Sequence, residues 1–159
     1  MQALNRALGL DRDLWLADTF YGFDPATVKH EKDLQALAAF SDFQGEPLSA
    51  QKVRDLFEGH GLLDARVHFL EGDVKDTLPG AGIGEVALLH IDVDFYEPTY
   101  NTLAHLYDRV APGGYVVIDD YGVEHFNCRD AVDRFRSERG IETPLTMMTH
   151  YIAWWRKDT

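Results

Sequence analysis

The sequence predicts an α/β protein built on a mainly parallel sheet with helices on both faces and a C-terminal antiparallel strand. Three observations carry this reading. LWLAD (14–18), EVALLHID (85–92) and GYVVIDDYG (114–122) are short apolar runs of the kind shown by strands covered on both faces. Segments with helical periodicity separate them, which is the pattern of strand, crossover helix and parallel strand. The apolar part of each run also gives way to aspartate, at the strand end where open α/β sheets place their ligands. The 159 residues, 45% hydrophobic and 26% charged, fit one globular domain over 1–159.

Taken in order, Leu4, Ala7 and Leu8 recur at helical spacing before Gly9, predicting the closing turns of a helix. LWLAD comes next as a buried strand, and residues 19–25 supply turn formers for a loop. Leu34, Leu37 and Ala38 predict a thin apolar stripe on a helix within 28–40, with 41–48 as loop. Ser49 is a natural cap for a helix burying Val53, Leu56, Phe57 and His60 before Gly61. RVHFLEGD (66–73) reads as a strand. GAGIG (80–84) precedes a strand rather than opening a helix, so it reads as a turn and not as a nucleotide loop.

Pro98 suits a first helical turn, and Leu103, Leu106, Tyr107 and Val110 continue that helix until Pro112-Gly113-Gly114 stops it. Cys128, Ala131, Val132 and Phe135 form the inward face of the next helix, with Gly140 beyond its end. PLTMMTHYIAWWRK (144–157) predicts two final strands, with Trp154 and Trp155 on opposite faces. His90, inside an apolar run, reads as a hydrogen-bonded core histidine, and His105 and Cys128 as members of helical stripes.

Charge excludes several functions. Fifteen Lys and Arg against 27 Asp and Glu give a net charge of −12, which argues against nucleic acid or an anionic membrane surface as partner. The single cysteine rules out an internal disulfide and a thiolate cluster and fits a reducing compartment. No stretch approaches the roughly 18 apolar residues of a membrane span, and the first residues lack a signal-peptide core. A cytoplasmic location is the expectation.

The chemistry concentrates at two strand ends. Asp92 closes the 85–92 run with Asp94 two positions beyond it, and Asp119 and Asp120 follow the apolar part of the 114–122 run. Twenty-seven positions separate Asp92 from Asp119, enough for one helix and a return strand, so the two acidic ends are expected to be neighbours. Converging carboxylates raise one another's pKa, and an oxygen-rich cluster suits a hard divalent cation such as magnesium. The IDVDF and VVIDD segments also imitate an aspartyl-phosphate phosphohydrolase with Asp92 as nucleophile. That alternative lacks fixed cationic help, since no lysine lies between the two acidic strands.

Four long blocks, LADTFYGF, GLLDARVHFLEGDVKDTLP, LLHIDVDFYEPTYNTLAHLYDRVAPGGYVVIDDYG and CRDAVDRFR, resemble the macrocin O-methyltransferase family in order and spacing. The resemblance implies a Rossmann-like class I methyltransferase fold. It implies methyl transfer from S-adenosylmethionine, with Mg2+ or another divalent cation, to a hydroxyl of a sugar-like natural-product acceptor. Carried over by position, Asp92, Asp119 and Asp120 look like metal ligands and Asp94 like the base that takes the hydroxyl proton. Asp18 with Thr19, and Asp73, look like cofactor-binding residues, near the ribose and the adenine. Tyr21 and Tyr121 are candidates for the acceptor border, and 22–48 for a lid or substrate loop; homo-oligomerisation stays open.

The family's first strand and glycine-rich loop would precede the helix ending near Leu8, so the expectation is an N-terminally truncated chain. The competing reading is a noncatalytic module of the same family that keeps the metal cluster without holding the methyl donor.

Overall fold

The structure is a computed structural model and describes residues 1–40 and 48–158. The chain divides into two compact units, one of Met1–Gly22 with Gln44–Ala81, the other of Phe23–Phe43 with Gly82–Thr159. The loop expected over 41–48 lies, apart from Leu48, outside the described residues.

The first unit is a parallel strand pair with three helices. Strand β1 (Leu14–Asp18) runs beside β2 (Val67–Glu71), with Leu14 opposite Val67 and Asp18 opposite Glu71. Trp15 stacks on His68 at 4.3 Å across that pair. Helix α1 (Gln2–Ala7) ends, as expected, before Gly9 in the left-handed region (φ 62°). Its inward face differs from the expected one: Gln2 and Asn5 are buried, whereas Leu4, Ala7 and Leu8 face solvent. The cause is polar docking, because the Gln2 amide donates to Asp64 at 3.0 Å and Arg6 pairs with the same carboxylate at 2.7 Å.

Helix α3 (Ala50–Gly59) starts where Ser49 predicted it, with the hydroxyl accepting from Lys52 N at 3.2 Å. Val53 and Phe57 are half-buried, but Leu56 and His60 stay exposed. A single strand pair offers too little surface to cover a full helical face. Phe57 and Phe20 flank Phe69, over which the Arg54 guanidinium lies 3.9 Å from the ring centroid. The short helix α4 (Val74–Thr77) is capped by Asp73, which accepts from Lys75 N at 2.9 Å.

The second unit holds a four-stranded sheet in the order β3-β4-β6-β5. Strand β3 (Val86–Ile91) is parallel to β4 (Val110–Ile118), and β6 (Ala153–Arg156) lies antiparallel to both β4 and β5 (Thr146–Met147). The two final strands expected from 144–157 are therefore present, and the sheet is mixed. Helices α5 (Tyr96–Leu106) and α6 (Cys128–Glu138) cover one face. Leu103, Val116, Ala131, Val132 and Trp155 are completely buried there, each large apolar side chain contributing about 1.5–3 kcal/mol. Trp154, on the other face, is only half-buried.

Four expectations need correction in this unit. Val110 opens β4 rather than closing α5, because a bulge between Val86 and Leu88 lets the strand carry Pro112, Gly113 and Gly114. The chain turns at Gly113, whose φ of 78° suits glycine. The strand expected over 114–122 stops at Ile118, and 119–122 form a turn closed by Val123 N donating to Asp120 O at 3.0 Å. His90 is exposed rather than part of a core, with its Nε2 3.8 Å from Asp119 Oδ1. Helix α2 (Glu31–Phe40) exists, but it buries Asp33 and Ala36 while Leu34 and Ala38 face outward. All four inward residues expected of α6, by contrast, are at most 3% exposed.

Candidate functional site

The parallel ladder brings the acids together. Ile91 is the register partner of Ile118, and Asp119 N extends the pairing by donating to Ile91 O at 2.9 Å. Asp92 and Asp94 beyond one strand end, and Asp120 beyond the other, thus emerge side by side. One carboxylate oxygen from each of these three lies within 4.8 Å of the other two. Asp119 is outside that trio; by strand alternation its side chain lies with His90, at 3.8 Å from Oδ1 to Nε2.

Asp94 is the most constrained member. It adopts φ 55°, uncommon for a residue with a β-carbon, and forms the centre of a γ-turn in which Phe95 N donates to Val93 O at 2.5 Å. Its carboxyl pKa is pushed up to about 8, first by burial, then by the hydrogen bond to Asp120 and by repulsion from Asp120, Asp92 and Asp119. A cation among these oxygens relieves that repulsion. The donor set is therefore the all-oxygen kind that suits a hard divalent ion.

The segment after Asp120 is pinned on two sides. Cys128 Sγ donates to Asp120 O at 3.0 Å, and its thiol pKa is pushed up to about 12 by burial and by Asp120 and Asp94, so it stays protonated as that bond requires. Gly122 N donates to Tyr151 O at 2.8 Å, and a β-carbon on Gly122 would fall 1.8 Å from His150 O. Tyr121 is held by its own bonds: its hydroxyl donates to Asp133 at 2.7 Å, Arg129 Nε donates to its carbonyl at 3.0 Å, and the guanidinium lies 5.1 Å from its ring. Burial and Asp133 push its phenol up to about 12.

Asp18, Thr19, Tyr21 and Asp73 belong to the first unit. Asp18 and Asp73 share the carboxyl edge of β1 and β2, where Gly72 N donates to Asp18 O at 2.9 Å. Asp18 Oδ1 accepts from Phe20 N at 2.6 Å, Thr19 donates to Gly22 O at 2.6 Å, and Tyr21 is exposed. Asp33 was not signalled by the sequence, where it is one acid among several polar residues of α2. In the fold its carboxylate is fully buried and accepts from Tyr96 N at 2.9 Å and Asn127 N at 2.8 Å.

The fold and the strand-end acids define a class I, Rossmann-like methyltransferase architecture, and solved structures share it. The chain superposes with a TM-score of 0.91 on a structure described as the O-methyltransferase NovP, at 36% identity over 100% of this chain and 66% of that one. A calicheamicin methyltransferase, CalS11, matches at 0.65 and 20% identity, over 98% of this chain and 65% of its own, which speaks to fold alone.

The model of the Macrocin-O-methyltransferase (TylF) family matches residues 1–157, and the chain belongs to that family. It is 40% identical over 159 residues to the 8-demethyl-8-(2,3-dimethoxy-alpha-L-rhamnosyl)-tetracenomycin-C 4'-O-methyltransferase of Streptomyces olivaceus, covering 98% of this chain and 59% of the relative. It is 37% identical over 149 residues to the Mycinamicin III 3''-O-methyltransferase of Micromonospora griseorubida, covering 92% and 58%. The chain thus spans less than two thirds of the length of these relatives.

Proposed function

We propose that this chain works in a cation-dependent O-methyltransferase that moves a methyl group from S-adenosylmethionine to a sugar hydroxyl of a natural product. The observation that carries the reading is the meeting of Asp92, Asp94 and Asp120 oxygens within 4.8 Å at two adjacent strand ends, in a member of this family. Relatives are named for methyl transfer to rhamnosyl-tetracenomycin and mycinamicin, which supports a glycosylated acceptor.

Asp92 and Asp120 would hold the divalent cation, magnesium by the hardness of its ligands; Asp119, the third ligand suggested by position, lies outside the trio beside His90. When bound, the cation supplies positive charge beside the acceptor oxygen and S-adenosylmethionine supplies the sulfonium methyl. Asp94 takes the hydroxyl proton, a task for which a pKa lifted toward neutrality suits it. Asp18, Thr19 and Asp73 are the residues proposed for the cofactor, and Tyr121, fixed beside Asp120, is proposed for the acceptor border; Tyr21 is a separate acceptor candidate carried by the first unit. Cytoplasmic placement agrees with a methyl donor made inside cells, and no helix among the described residues is long and apolar enough to cross a membrane.

Production of S-adenosylhomocysteine from rhamnosylated acceptors, with and without MgCl2, tests the reading. Turnover that survives thorough chelation would remove the cation. Magnesium binding without any binding of S-adenosylmethionine would favour a noncatalytic metal-binding module.

A further inference from the structure

We propose that Asp33 is a positioning residue that sets the spacing of the aspartate cluster; this deepens the proposed function and rests on its cation site. Asp33 is completely buried on α2, yet it makes no ion pair with a basic side chain among the described residues. Its two oxygens are divided between two other helices. Oδ2 accepts from Tyr96 N, the first residue of α5, at 2.9 Å, and Oδ1 accepts from Asn127 N, the residue that precedes α6, at 2.8 Å. Neither α5 nor α6 has a side-chain cap of its own. A single carboxylate thus satisfies donors at two helix starts and lies at the positive end of both dipoles. That arrangement offsets the cost of its burial, which raises its pKa.

The two helix starts are the places from which the acidic residues are hung. Tyr96 is two residues beyond Asp94, so anchoring Tyr96 N restrains the γ-turn that aims the Asp94 carboxyl. Asn127 adjoins Cys128, whose thiol grips the Asp120 carbonyl at 3.0 Å. Asp33 therefore holds both arms of the cluster at a fixed separation, as the outer partners of metal ligands do elsewhere. Apolar contacts keep α2 in place without the carboxylate: Val28, Ala36 and Phe95 form a buried group, with Phe23, Leu37 and Phe126 packed against it. A variant at Asp33 is thus expected to keep the helix docked while loosening the bonds to the two helix starts.

The test is Asp33→Asn, titrated with MgCl2 by calorimetry well below its melting temperature, with amide hydrogen exchange read at Tyr96 and Asn127. The expected result is magnesium affinity about tenfold weaker than in the wild-type chain, with faster exchange at both amides. Faster exchange with unchanged magnesium affinity makes the residue merely structural and overturns the proposal. A wild-type chain that binds no magnesium removes the cation site of the proposed function instead, a distinguishable failure. If D33N does not fold, linkage supplies the readout in the wild-type chain. Magnesium should then slow exchange at Tyr96 and Asn127 more than at Leu103, and equal effects at the three overturn the proposal.

Discussion

Ile91 stands opposite Ile118 in a parallel ladder, and both side chains are at most 2% exposed. The pair is fixed by burial, since slipping the register by one residue would turn every apolar side chain of β3 to the wrong face. The same register decides the chemistry, because the residues just beyond Ile91 must lie beside those just beyond Ile118. Hydrophobic packing thereby brings Asp92, Asp94 and Asp120 together against their mutual repulsion, and a bound cation is the natural counterweight.

Removing a proposed cation ligand and removing the proposed base should have different signatures. Asp92→Asn and Asp120→Asn are expected to weaken magnesium binding by roughly tenfold or more, with methyl transfer lost in parallel. Asp94→Asn is expected to abolish transfer while leaving magnesium affinity within about threefold of wild type, since the base acts on the proton. Titration calorimetry with MgCl2 separates the classes; equal losses of affinity in all three would make Asp94 a ligand.

Leu103 is completely buried where α5 meets the sheet, and Leu103→Ala should cost about 2–5 kcal/mol of folding free energy. Urea unfolding with an unchanged slope would check it. A cost below about 1 kcal/mol would mean that α5 repacks freely.

The strands, the helix faces of α5 and α6 and the acidic strand ends were legible because each rests on a local pattern that tertiary packing also uses. Cys128, Ala131, Val132 and Phe135 recur at helical spacing and are all buried. The faces of α1 and α2 were not legible, because polar groups dock them: Gln2 and Arg6 on Asp64, and Asp33 on two backbone amides. Apolar periodicity carries no information about such contacts. His90 misled because strand alternation turns it away from its buried neighbours Leu89 and Ile91. Asp92 and Asp94 stood out as acids after an apolar run, but the γ-turn that aims Asp94 depends on Tyr96 N and a partner 63 positions away.

Gly122 is where the acidic turn meets the hairpin before β6, and there is no room for a side chain: the added carbon would sit 1.8 Å from His150 O. Gly122→Ala must push one backbone segment off the other and break the bond from Gly122 N to Tyr151 O. We expect a loss of about 3 kcal/mol, read by thermal or urea unfolding. Magnesium affinity should fall as well, because Asp120 is two residues away. A variant as stable as wild type would show that the two segments separate at little cost.

The raised pKa of Asp94 makes the metal-free protein sensitive to alkali. Its folded value, near 8, exceeds the ordinary carboxylate value of 3.8, so the folded chain holds a proton that the unfolded chain gives up. Stability from this group is complete below the ordinary value and is lost as pH rises toward 8. Between pH 6 and 9 the metal-free wild type should lose on the order of 2 kcal/mol, a loss that Asp94→Asn, with no proton to surrender, should not show. Urea unfolding of the metal-free wild type and of Asp94→Asn across that pH range checks the prediction. Parallel stability curves for the two would place the titrating proton elsewhere.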